Sequence, residues 1–276
     1  MLKIKNNFDF KSSITCGQIF RYFIEDDNYT IIIKDRVISL RQDNDYIIVE
    51  SNNEDNLKEV IEDYFDLNRN YDEIETTIIK KDKSMNTAIK FSKGLRMIHQ
   101  DPLETLIAYI ISQNNRVPSI ANSLNLIAER YGTKVSFKYK DYYLFPDISN
   151  LYELNIDDFR NCKVGFRDKY LYEIVQALKN KTLDLSKINN LSSEESLNYL
   201  MNFKGIGPKV ASCILLFAYQ RFDVYPIDTW VKKFMKEDYG IEGEKNIREF
   251  TLKKYDKYSG LAIQYMFNYK RNSVDK

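Results

Sequence analysis

Residues 202–211 read Asn202-Phe203-Lys204-Gly205-Ile206-Gly207-Pro208-Lys209-Val210-Ala211. Two glycines stand between two helical patterns. Ser193-Glu194-Glu195 opens the first helix, with Leu197, Leu200 and Met201 on one face, and Pro208 is placed to start the second. Residues 210–219 are apolar nearly all round and predict a buried helix. A hairpin of this kind turns backbone N–H groups outward beside a helix N-terminus, where they can hold a phosphate without side-chain charge. A purely structural helix pair fits the same residues. A dinucleotide fingerprint fits poorly, although Asp228 follows about twenty residues after the glycines. It needs a strand before them, where an amphipathic helix stands, and Val210 occupies the place of its third small residue.

Lys209 falls in the first turn of this apolar helix. A lysine there can simply be solvated or face a phosphate. Both the helix N-terminus and low-dielectric surroundings disfavour its ammonium form, and a lysine so tuned becomes an amine nucleophile. Asp228, in Val224-Tyr225-Pro226-Ile227-Asp228-Thr229-Trp230, is a good N-cap for a helix carrying Val231, Phe234 and Met235. An ionised aspartate at that place also suits a role beside developing positive charge. Neither residue persuades alone; the pair is more specific than either.

Before the hairpin, Asp101-Pro102-Leu103-Glu104 starts a helix with Leu106, Ile107 and Ile110 at helical spacing, and Ile120, Leu124, Ile127 and Ala128 mark another. Residues 29–34, 36–41 and 46–50 are short β-branched or aromatic runs separated by polar clusters, which predicts an antiparallel meander. The fold class expected is α+β: a sheet-bearing N-terminal part, residues 1–95, packed on a helical body, residues 96–276, with the helix-hairpin-helix at about 193–220.

The 276 residues are long enough to bury a core, and 43% hydrophobic with 29% charged residues is ordinary for a globular protein. The 41 Lys and Arg against 40 Asp and Glu leave a net charge of +1, so any polyanion must be held by a local patch. Residues 1–100 carry −3 and the remainder +4, placing that patch in the C-terminal part. Three cysteines, Cys16, Cys162 and Cys213, and one histidine, His99, exclude a four-cysteine cluster and make His-based metal sites and Ser-His-Asp chemistry poor readings. The first ten residues lack the apolar core of a signal peptide, and no apolar run is long enough for a bilayer, so a cytoplasmic, membrane-free protein is expected.

Several segments together resemble the 8-oxoguanine DNA glycosylase/AP lyase family of helix-hairpin-helix glycosylases, in its bacterial form. Cys16-Gly17-Gln18-Ile19-Phe20-Arg21-Tyr22 resembles the family's G-Q-x-F-R-W segment. His99-Gln100-Asp101-Pro102-Leu103-Glu104 and Ser112-Gln113-Asn114-Asn115 resemble its Q-D-P-x-E and S-x-N-N stretches. Val164-Gly165-Phe166-Arg167-Asp168-Lys169-Tyr170 resembles G-Y-R-x-x-Y, and the hairpin, Asp228 and residues 259–267 follow in order.

The resemblance implies a bifunctional enzyme acting on double-stranded DNA that contains an oxidised purine, as a monomer and without redox cofactor or catalytic metal. It allows a monovalent cation at the hairpin carbonyls. It implies that Lys209 attacks the sugar C1′ and forms a Schiff base, with Asp228 supporting the cationic sugar. The target nucleotide must first leave the stack. The Gly17 carbonyl would accept from N7–H, present only in the oxidised base, while Cys213 and Phe267 would sandwich it. Asn114 and Arg167 would read the orphaned cytosine, and the N–H groups of Gly205, Gly207 and Val210 would hold phosphate.

Departures from the family pattern carry their own expectations. Ser119 stands where an arginine directed at the cytosine is common, and Phe166 replaces a wedging tyrosine, so relaxed opposite-base preference is expected. Ile263 aligns with the glutamine that reads the base, leaving Gln264 beside it as the candidate. Trp230 stands for a phosphate-binding histidine and keeps an indole N–H donor. Two other readings remain open: a monofunctional alkylpurine glycosylase using Asp228 without covalent catalysis, and a non-catalytic DNA-binding module using the hairpin alone.

Overall fold

A computed structural model describes residues 1–273. Its N-terminal part is a five-stranded antiparallel sheet of β1 (Leu2–Lys5), β2 (Tyr22–Glu25), β3 (Asn28–Ile33), β4 (Arg36–Asp43) and β5 (Tyr46–Ser51), in the order β1-β5-β4-β3-β2. The meander read from the sequence is β3–β5; the four-residue edge strands are the addition. Two-residue loops join β2 through β5, and the first residue of each, Asp26, Lys34 and Asn44, takes a left-handed φ. Ile38 lies opposite Ile31, and Leu40 opposite Val49. These side chains are fully buried against Phe10, Ile14, Ile61 and Phe65, from the helices Phe10–Thr15 and Leu57–Tyr64 and the residue that follows the latter.

The second and larger core belongs to the helical body. Helix Pro208–Ala218 lies at its centre with every residue from Val210 to Ala218 buried, as its uninterrupted apolar run predicted. Met201, expected on the buried face of helix Ser193–Met201, is 36% exposed, while Leu200 of the same helix is fully buried. Tyr71, Ile74, Ile78, Met85 and Ile89, on helices Tyr71–Lys81 and Met85–Phe91, are buried in the helical body's core, whereas Ile98, further along the chain, is buried in the sheet's core.

The chain crosses between the cores a second time at residues 16–21, and hydrogen bonds fix that crossing. Gln18, wholly buried, donates to the Arg96 carbonyl at 2.8 Å and accepts from Ile98 N–H at 2.8 Å. Its own carbonyl accepts from Gln100 Nε2 at 2.9 Å and from Tyr109 OH at 3.1 Å. Arg21, 4% exposed, reaches Glu104 at 3.2 Å, Asn125 at 3.2 Å and the Tyr143 carbonyl. Motifs some eighty residues apart in sequence are therefore one network, and it holds Gly17 in place.

Candidate active site

Helix Pro208–Ala218 begins at Pro208 with Gly207 as its cap residue. The two hairpin glycines are there for different reasons. Gly205 has φ +89°, and a Cβ on it would lie 2.8 Å from Cβ and Cγ of Tyr170. Gly207 has φ −89° and nothing within 4 Å of where a Cβ would stand, so it leaves open surface. The backbone N–H groups of Gly205, Gly207 and Val210 donate to nothing among the described residues. Gln113 Nε2 donates to the Gly205 carbonyl at 2.9 Å, tying the loop that carries Asn114 to the hairpin.

Helix Thr229–Tyr239 starts at Asp228, whose Oδ1 accepts from Val231 N–H at 2.9 Å. The other carboxylate oxygen has no partner among the described residues. Two helix N-termini thus deliver Lys209 and Asp228 to the rim of one cavity of about 180 Å³. An apolar cavity of ~150 Å³ is enough for a benzene ring. Cys213, Phe267, Gln264 and Gly17 line it as well, so every residue singled out for catalysis or base binding meets there.

Lys209 is exposed at the cavity mouth, whereas the sequence suggested low-dielectric surroundings; water there can be excluded only by what binds. The Cys213 thiol is pushed up to about 12, chiefly by burial, with the Lys209 charge pulling the other way. It is a neutral, soft wall rather than a nucleophile. Gln264, 7% exposed, directs Nε2 at the Cys16 sulfur at 3.5 Å, and Ile263 faces the same cavity.

The residues expected to meet DNA outside the cavity are set apart from it. Asn114 is exposed in the left-handed region at φ +48°, Ser119 is exposed on the first turn of helix Val117–Tyr131, and Phe166 is 57% exposed. Arg167 differs from its expected use as a cytosine reader. It is 5% exposed, and its three nitrogens donate to the carbonyls of Gln113, Asn114 and Val164, with the guanidinium over the Phe166 ring at 4.3 Å. That arginine shapes the Asn114 loop instead. Trp230 is half-buried beside Lys233.

Sequence reading missed Asn115 and Arg271, both of which line the cavity. Asn115 follows a better-known asparagine, and Arg271 reads as a solvated charge on the last turn of a helix. Among the described residues no group of three or more His, Cys, Asp or Glu could hold a metal ion, and no helix is long and apolar enough to cross a membrane.

Comparison with known proteins gives this geometry its relatives. The family described as 8-oxoguanine DNA glycosylase, N-terminal domain, matches residues 1–106. The crystal structure of Clostridium acetobutylicum 8-oxoguanine glycosylase/lyase, in complex with double-stranded DNA containing cytosine opposite 8-oxoguanine, superimposes with TM-score 0.92 and 38% identity, covering 98% of this chain and 93% of that one. A probable N-glycosylase/DNA lyase of Methanothermobacter thermautotrophicus is 26% identical over 239 residues, 79% of this chain and 76% of its own. The N-glycosylase/DNA lyase of Saccharomyces cerevisiae is 28% identical, covering 91% of this chain and 72% of its own. With more than a third of its residues shared along nearly its whole length with a solved member, and with the hairpin, the lysine and the aspartate around one cavity, the chain belongs to the 8-oxoguanine DNA glycosylase/lyase family.

Proposed function

We propose that the protein removes 8-oxoguanine from double-stranded DNA in base excision repair and then cleaves the strand, with Lys209 as nucleophile. The observation that carries this reading is the meeting of Lys209 and Asp228 at the rim of a cavity able to take one base. The flipped nucleotide places its base between Cys213 and Phe267, with N7–H toward the Gly17 carbonyl. The neutral Lys209 amine attacks C1′. The bond from C1′ to the base breaks, and the base leaves with that electron pair and gains a proton. Asp228 balances the positive charge that develops on the sugar. Loss of the amine protons and opening of the ring give a Schiff base, whose acidified C2′ proton is then lost as the 3′ phosphate departs. The unpartnered N–H groups of Gly205, Gly207 and Val210 hold the backbone phosphate while this happens. A monovalent cation at the hairpin would share the Gly205 carbonyl with the Gln113 amide.

Preference for the base opposite the lesion is relaxed. Ser119 offers one weak hydroxyl in place of a cationic fork, and Arg167 is already committed to backbone carbonyls. Asn114, exposed on its loop, is left as the principal reader.

Borohydride trapping tests the chemistry. Wild type should form a covalent adduct with DNA containing 8-oxoguanine, and Lys209→Gln should form none. Excision without an adduct in wild type would mean a monofunctional glycosylase, and binding without excision a non-catalytic module; either would overturn the proposal.

A further inference from the structure

Gln264, Phe267 and Arg271 follow one another at spacings of three and four on helix Ser259–Ser273, so they share one face, and all three line the cavity. Arg271 and Lys209 are the two cationic residues of that lining. The Arg271 guanidinium makes no hydrogen bond or ion pair among the described residues. Its Nη1 lies 2.8 Å from where a Cβ of Gly17 would stand. Gly17 has φ +92°, and the space its missing side chain leaves is taken by this guanidinium, with Phe267 Cε1 next at 3.8 Å. The glycine therefore makes room for Arg271 as well as for a base edge.

We infer that Arg271 reads the flipped base, donating to an exocyclic carbonyl oxygen beside the N–H that the Gly17 carbonyl accepts. This rests on the cavity being the base pocket. In 8-oxoguanine, N7–H is flanked by O6 and O8, both acceptors. A backbone carbonyl can only accept and a guanidinium can only donate. Set side by side, they match two adjacent atoms of that edge. Ile263 contributes no polar atom, and the Gln264 amide nitrogen is directed at the Cys16 sulfur, so Arg271 is the donor on this helix face that no protein group already takes. A base without an acceptor at that point would leave the guanidinium desolvated and unpaired, which selects against it.

The experiment separates reading a base from holding DNA. Arg271→Met keeps the length and removes the charge and donors. Single-turnover excision of 8-oxoguanine and strand cleavage at a preformed abasic site, which has no base to read, are measured in the same duplex. Loss of a charge-assisted hydrogen bond should slow excision by about 10- to 100-fold and leave abasic-site cleavage unchanged. A duplex carrying 8-oxoadenine, which has an amine in place of O6, locates the contact: the variant slows its excision as well if the partner is O8 and leaves it alone if the partner is O6. Equal slowing of excision and abasic cleavage would mean a phosphate or scaffolding role, and no slowing would mean no role; both overturn the inference. Failure of the wild type to excise 8-oxoguanine would instead overturn the proposed function, so the two failures are told apart.

Discussion

Alanine at Gly205 should unfold the protein more easily and weaken its hold on DNA, while alanine at Gly207 should do only the second. At Gly205 two costs add. A side chain at φ +89° is strained by about 1–3 kcal/mol. The new Cβ also lies 2.8 Å from Tyr170 Cβ and Cγ, atoms too near the Tyr170 backbone to swing aside, and overpacking of this kind costs about 1–3 kcal/mol. Together they come to about 2–6 kcal/mol, a large part of the ~5–15 kcal/mol that holds a domain folded. At Gly207 the φ of −89° suits any residue and the site is open. There, the poorer capping of alanine, about 1 kcal/mol, is offset by its smaller freedom in the unfolded chain, ~0.4–1 kcal/mol. Urea denaturation of the two variants beside wild type gives the stabilities, and fluorescence anisotropy with a duplex bearing an abasic-site analogue gives the affinities. Equal destabilisation by both substitutions, or undiminished DNA binding by Gly207→Ala, would refute the distinction drawn between a glycine that fits a fold and one that clears a surface.

Burial pushes the Asp82 carboxyl up, but donors from Ser84, Tyr255, Lys254 and Tyr239 outweigh it and hold the group at about 2. Since that is below the unfolded value of about 3.9, its stabilising effect is present above about pH 4 and lost as pH falls toward 2. Asp82→Asn should cost about 1.5–3 kcal/mol at pH 7, and the gap from wild type in urea denaturation should narrow at pH 3. The Cys213 thiol, pushed up to about 12 mainly by burial, should resist iodoacetamide in the native protein at pH 8, as peptide mapping by mass spectrometry would show. Excision of 8-oxoguanine opposite each of the four bases should vary by less than about 100-fold, the discrimination of a strong bidentate contact; a steeper preference for cytosine would restore a dedicated reader to the opposite strand.

What the sequence made legible was local. The two glycines and Pro208, the N-caps Asp101 and Asp228, and the β-branched runs of β3 to β5 each declare themselves within about ten residues, and each lies where its chemistry places it. What it hid was tertiary. Gln18 and Gln100, or Arg21 and Glu104, look like ordinary polar residues until the fold brings them within hydrogen-bond distance. Helices Tyr71–Lys81 and Met85–Phe91 carry no sign of which core they will join. Arg167 carries a charge that reads as available to a ligand, and only the nearness of the Gln113 and Asn114 carbonyls shows it is not. Arg271 was passed over because a cation near a helix C-terminus satisfies the helix dipole without further explanation.

The crossing at residues 16–21 divides labour between the two cores. Lys209 and Asp228, the proposed catalytic pair, stand wholly on the helical body, whereas Gly17, whose carbonyl is proposed to face the lesion, hangs from a strap stretched between that body and the sheet. Harm to the sheet would therefore strike judgement before it struck force: an enzyme loosened at this seam would go on cutting while growing careless about which purines it removes, a worse fault in a guardian of the genome than silence.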